Sequence, residues 1–153
     1  MLILAGCFSA CKEKEDDTMK EYSTKEGRFD INETEFVRMY FSPESGYIDS
    51  PVNLIIENHT KGVLTYGYDF SLEYANGTNW IPIELDEEFL IIELVLLSGE
   101  TREGEFNFSF IEEYNNGKKG KYRIIKYFSV CYDFPNNSEI DPCFNLYIEF
   151  EIK

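Results

Sequence analysis

The chain has 153 residues, with 14 Lys and Arg against 29 Asp and Glu, for a formal charge of −15. That balance excludes non-specific nucleic-acid binding, which needs a basic surface to displace counterions. Hydrophobic residues at 43% and aromatics at 16% exclude a disordered chain, and no stretch approaches the ~20 apolar residues that span a bilayer.

Residues 1–10, MLILAGCFSA, are apolar and end in small side chains, and the charged run CKEKEDD follows at once. An abrupt break of this kind at a cysteine is the pattern of a lipoprotein signal peptide, cut before a lipid-bearing cysteine. Cys11 is the expected lipidation site. Cleavage before the alternative, Cys7, would leave too little signal, since the usual apolar region is ~7–15 residues. No Lys or Arg precedes the apolar run, which fits a start assigned too far downstream. Each buried CH₂ contributes ~0.8 kcal/mol, so two or three acyl chains hold stably. The expected partner is therefore a membrane, reached through a covalent lipid on the cysteine. The expected location is the cell envelope, on an outer membrane facing the periplasm or the cell surface. No other cofactor is expected.

Residues 11–28 read as a flexible charged tether. Lys12–Arg28 holds five basic and six acidic residues and few large apolar ones, too few to offset the entropy of ordering. Its acidic Lys12–Asp17 stretch resembles surface-export signals of some lipoproteins, and equally a plain solvated linker. One folded domain, residues 29–153, is expected after it.

That domain alternates with period two between Gly, Asn, Asp and Pro punctuation, the signature of strands. Thr34–Phe41 and Val52–Glu57 read as strands. Tyr66, Tyr68, Phe70, Leu72 and Tyr74 fall on one face of another. Trp80–Leu85 follows the turn Ala75-Asn76-Gly77, and the apolar run Phe89–Leu97 reads as a strand covered on both sides. Phe106, Phe108 and Phe110 alternate with polar residues, and Ile111–Asn116 alone suits a short helical turn. Tyr122–Tyr132 and Phe144–Ile152 complete the series. The fold class expected is all-β, an antiparallel β-sandwich of about 7–9 strands, with a single sheet or barrel as the rival. The aromatics read first as core.

The order of landmarks resembles the bacterial Ig-like domains. They are Ile55-Ile56-Glu57-Asn58-His59-Thr60, Tyr66–Glu73, Trp80 with Ile81-Pro82-Ile83, Leu97-Ser98-Gly99-Glu100, and Gly120-Lys121-Tyr122-Arg123-Ile124. The resemblance covers Val37 to Tyr127, with Ser98 standing where the family usually has Pro. It implies an immunoglobulin-like sandwich that is not an enzyme and carries over no catalytic residue. A weaker similarity is to the intracellular proteinase inhibitor family, which shares an Asn-containing turn, a central Trp and a Gly-x-Tyr strand.

Catalytic chemistry finds little footing. His59, the single histidine, lies in a turn composition and reads as an exposed turn residue, with no strained Gly-x-Ser-x-Gly turn beside it. Asp86, Glu87 and Glu88, with Glu84 nearby, read as a solvated acidic loop rather than a calcium site. No catalytic and no metal-ligating residue is assigned.

Two other features bear on function. With Cys11 lipidated and Cys7 lost with the signal, an even pair remains, Cys131 and Cys143, and an exported protein is expected to join them. By parity Cys131 shares a face with Arg123 and Tyr127, opposite Tyr122, Ile124, Phe128 and Val130. Cys143 shares one with Asn145 and Glu149, so both should point away from the core. Lys118, Lys119, Lys121, Arg123 and Lys126 are five of the nine basic residues after Arg28. They form a candidate patch for an anionic partner, or balance the acidic strands beside them.

The expectation is thus a lipid-anchored, non-catalytic binding module with an unknown protein or glycan partner. An exported proteinase-inhibitor-like module and an accessory subunit of an envelope assembly are the alternatives.

Overall fold

The computed structural model describes residues 19–86, 88–135 and 142–153. Two antiparallel sheets pack face to face. In the first, β4 (Ser45–Tyr47), β1 (Glu21–Thr24), β12 (Cys143–Ile152) and β11 (Gly120–Cys131) lie side by side. The far edge of β11 is shared. Phe128–Cys131 pair with β6 (Val63–Tyr66), which in turn pairs β9 (Leu94–Leu96). Tyr122–Ile125 pair with β7 (Ser71–Asn76), which carries β8 (Asn79–Ile83) on its outer side. The second sheet runs β10 (Thr101–Phe106), β5 (Val52–His59), β3 (Phe36–Ser42), β2 (Gly27–Asp30). A short helix, α1 (Phe110–Asn115), sits where the helical turn is expected and ends on Asn116 in the left-handed conformation.

The inward-facing alternation of β11 and β12 supplies one wall of the core: Tyr122, Ile124, Phe128 and Val130 against Phe144, Leu146, Ile148, Phe150 and Ile152, all buried. Val37, Met39 and Phe41 of β3, with Val52 and Ile56 of β5, supply the other. Between them Phe108 is fully buried, its ring 4.4 Å from Tyr22, 4.9 Å from Phe41 and 5.0 Å from Phe150. The fold class is the expected immunoglobulin-like β-sandwich, cut into twelve strands among the described residues.

Three expectations are corrected. The tether does not extend to residue 28. β1 forms a ladder with β12 and β4, and Tyr22 is a core residue that donates to the Pro43 carbonyl at 3.1 Å. A charged composition hid it because a four-residue strand needs only one large inward side chain. The chain then switches sheets: Lys25 N–H still bonds the Glu149 carbonyl at 2.9 Å, while Gly27 already belongs to β2. A Cβ on Gly27 would run into the Tyr147 carbonyl, so glycine permits the crossing.

The long strand Tyr66–Tyr74 is broken. β6 stops at Tyr66 and β7 starts at Ser71, with Tyr68 half exposed between them. Nor is Phe89–Leu97 one covered strand, since only Leu94–Leu96 pairs, at the edge of the sheet. A short apolar run does not say how much of itself is paired. Here Leu90, Ile91 and Ile92 are 69%, 105% and 46% exposed.

Two sequence landmarks meet in space. Asn58 is buried at the end of β5, with its amide donating to the Gly62 and Leu96 carbonyls at 3.0 Å each. Its Oδ1 accepts from Thr60 N at 3.0 Å and Thr60 Oγ1 at 2.7 Å. The Leu97–Glu100 turn docks on the same residue: Gly99 N, at φ +79°, donates to the Asn58 carbonyl at 2.9 Å. Ser98 adds a hydroxyl bond to the Thr60 carbonyl, a bond a proline could not make.

Candidate functional site

Cys7 and Cys11 lie outside the described residues. Cys131 and Cys143 are described, and their sulfurs are not joined. In the β11–β12 ladder Cys143 stands opposite Ser129, and Cys131 opposite Val63 of β6. The two cysteines are therefore diagonal neighbours, for which Cα atoms lie ~7–8 Å apart, beyond the usual reach of a disulfide. Cys131 is also buried rather than solvent-facing at the end of β11, while Cys143 is exposed. Parity held along β11 but could not show that the strand's end is covered.

The five basic residues do not form one patch. Lys118 lies 4.4 Å over the Tyr74 ring, and Lys119 and Lys121 are exposed. Arg123 pairs with Glu73 on the outer face, between Trp80 at 4.4 Å and Tyr147 at 4.8 Å. Lys126 points the other way, into the sandwich, and is only 5% exposed. His59 is exposed as expected, but it ends β5 rather than a turn. It stacks on Phe36 at 4.4 Å and meets Glu57 Oε2 at 2.8 Å. Glu84, Asp86 and Glu88 are exposed, and Glu87 lies outside the described residues.

The interior lysine marks what the sequence reading missed. β6 and β7 pair with β11 on either side of Lys126, so the Gly67–Phe70 connection faces it without a ladder. The ammonium fills that break, donating to the Gly67 carbonyl at 2.9 Å and the Asp69 carbonyl at 2.8 Å. Burial pulls its pKa down to about 8, against the opposing pull of the Asp69 charge.

Beside it opens a cleft of about 650 Å³ between the sheets. Leu54, Ile56 and Phe106 line it from one sheet, and Tyr66, Ile124 and Lys126 from the other. Arg102 enters from β10 and donates from Nη2 to the Val95 carbonyl at 3.1 Å. The hydroxyl of Tyr66 makes no well-formed hydrogen bond among the described residues, although the residue is buried. Burial pushes its pKa up, and the adjacent Arg102 draws it partly back.

A second feature lies on the outer side of the same break. Leu90–Ile92 form an exposed aliphatic ridge beside a shallow groove floored by Thr65, Tyr127 and Ser129. Tyr127 is itself 57% exposed.

No curated protein matches the chain. A crystal structure of a protein from Archaeoglobus fulgidus is similar at 16% identity, covering 86% of this chain and 96% of that one, with a TM-score of 0.33. The model of the bacterial Ig-like domain matches residues 37–143, from β3 through the first residue of β12. With the two-sheet core and the docked Asn58 and Leu97–Glu100 turns, that match makes the chain a member of the bacterial Ig-like domain family.

Proposed function

We propose that the chain is a non-catalytic interaction module, held at the cell envelope by a lipid on Cys11, or on Cys7 in the alternative, and binding a protein partner. The observation that carries the interaction reading is the ridge Leu90–Ile92, with Ile91 fully exposed. Contiguous aliphatic surface beside an exposed tyrosine costs solubility, and in a folded domain it marks a contact site. Its aliphatic character favours a protein over a glycan as the occupant, because it offers no hydrogen bonds to sugar hydroxyls. Location rests on the apolar-to-charged break at Cys11.

The test places a photo-crosslinking residue at Ile91 in cells that make the full chain. The expected result is one discrete adduct, abolished by Leu90→Ser with Ile92→Ser, together with palmitate incorporation lost in Cys11→Ser. Absence of any Ile91 adduct overturns the interaction surface, and an unlabelled precursor overturns the anchor. The inhibitor-like alternative uses the same exposed segment as a protease-directed loop. Dose-dependent inhibition of a secreted protease, lost in the Leu90→Ser/Ile92→Ser variant, selects it.

A further inference from the structure

The cleft between the sheets is a different site from the outer ridge, and three features set it apart from an ordinary packing defect. A glycine lines it. Along β10 the inward positions are Arg102, Gly104 and Phe106, paired with Ile56, Leu54 and Val52. A Cβ added at Gly104, an exposed position on the edge strand that lines the cleft, would meet nothing within 4 Å, so a larger side chain there would extend into the open space.

Its cations, Lys126 and Arg102, also make no ion-pair contact among the described residues, in a chain of net charge −15, although the Asp69 charge acts on Lys126 from beyond contact distance. Two of the three Lys126 N–H groups go to carbonyls, which leaves one. Alternation along β10 turns Glu103 and Glu105, which border the opening, toward the opposite side of the strand from Arg102. Finally, Tyr66 lines the cleft with a buried hydroxyl that makes no well-formed hydrogen bond among the described residues, with the Arg102 guanidinium beside it, an arrangement that costs stability unless something completes it.

We propose that this cleft binds a small amphipathic monocarboxylate, its apolar body between Leu54, Phe106 and Ile124 and its carboxylate at Lys126 and Arg102. The volume lies within the ~300–1,000 Å³ of small-molecule sites, and an apolar lining with a few convergent polar groups is their usual construction. The carboxylate supplies the acceptor that the remaining Lys126 N–H lacks, and its charge matches the two cations. A neutral alcohol of the same length gains the apolar contact and forgoes the charge.

The test titrates the purified full chain with sodium decanoate and, separately, with decanol, by calorimetry at pH 7. The expected result is saturable 1:1 decanoate binding. Gly104→Leu, which places a side chain in the open space at an ordinary backbone conformation, weakens it at least tenfold. Lys126→Met weakens decanoate at least tenfold and changes decanol less than threefold. Decanoate that fails to bind wild type, or binds Gly104→Leu equally, overturns the site. Equal binding of decanoate and decanol, with Lys126→Met indifferent, overturns the carboxylate. Circular dichroism of each variant precedes the titration, and Gly104→Ala takes the place of Gly104→Leu if that chain does not fold, with weakening of at least threefold expected and unchanged affinity overturning the site.

Discussion

The buried ammonium of Lys126 makes the fold's stability depend on pH in an unusual direction. In the native chain its pKa is about 8, and the ordinary value is 10.5. Between these limits the unfolded chain keeps a proton that the native chain has released, so stability rises with pH. Below the native value both states are charged and the full burden of the buried charge weighs on the fold. The whole gap corresponds to about 3 kcal/mol. From pH 7 to pH 9.5 the same linkage gives a gain of about 2 kcal/mol.

Lys126→Met removes the titrating group and forfeits two carbonyl bonds, a cost independent of pH. The stability of wild type minus that of Lys126→Met should therefore increase by about 2 kcal/mol over this interval. Urea denaturation followed by circular dichroism at pH 7, 8, 9 and 9.5 reads the difference directly. The series stops at pH 9.5 because burial pushes the phenols of Tyr22, Tyr66 and Tyr122 above 10. Those groups act with the opposite sign, since a raised native pKa makes stability fall as pH climbs past 10. The charged and titratable groups around the ammonium (Tyr66, Asp69, Arg102, and Glu103 and Glu105 at the opening) are present in both chains. A difference between the two chains that stays constant across the series would refute the argument that Lys126 is charged at a desolvated site.

Phe108→Ala should cost ~3–5 kcal/mol in urea unfolding, because four aromatic neighbours surround a ring with no exposure; Phe108→Leu should cost under ~1.5 kcal/mol. Asn58→Ala takes the side-chain partner from the Leu96 carbonyl and the Thr60 N–H, while the Thr60 hydroxyl still reaches the Gly62 carbonyl at 3.2 Å, and should cost about 3 kcal/mol by thermal unfolding. The Glu35 carboxylate accepts from Lys61 N at 2.6 Å and Asn32 Nδ2 at 2.7 Å, bonds that hold its pKa below the ordinary glutamate value. Its stabilisation is present above pH 4.5 and lost as pH falls through the lowered native value. Glu35→Gln should be less stable than wild type at pH 7, with the gap closing on acidification in a thermal-melt series.

The strands legible in the sequence are those whose partners lie on both sides. β5, β11 and β12 are long, and their alternation is set by burial of one face, so their inward residues could be read by parity. The same parity, followed one residue further along β11, puts Lys126 among Tyr122, Ile124 and Phe128. Grouping it with Lys118 and Lys119 by sequence proximity obscured that. What alternation cannot report is where a ladder stops. Tyr66, Tyr68, Phe70, Leu72 and Tyr74 keep perfect period two across a break in pairing, and only the burial of Lys126 betrays it. β1 was lost for a related reason, since its one large inward residue, Tyr22, gives no period to detect. The cysteine pair fails on register, which a two-residue offset between Cys131 and the partner of Cys143 decides.

The break between β6 and β7 links the features that bear on function. Two carbonyls, of Gly67 and Asp69, face inward there without strand partners, and an apolar residue at position 126 would leave them unsatisfied at the edge of the core. A lysine answers both with one side chain, and its charge then cannot be closely packed by hydrocarbon. Gly104 across the sandwich leaves the room that this arrangement needs, so the cleft follows from the interrupted ladder. On the outer side, the same interruption places the β6–β9 pair at the sheet edge, and the segment leading into β9 finds no strand to cover it. An insertion that continued β6 into β7 would thus remove the reason for the inward lysine, narrow the cleft and give Phe89–Glu93 a neighbour to pair with.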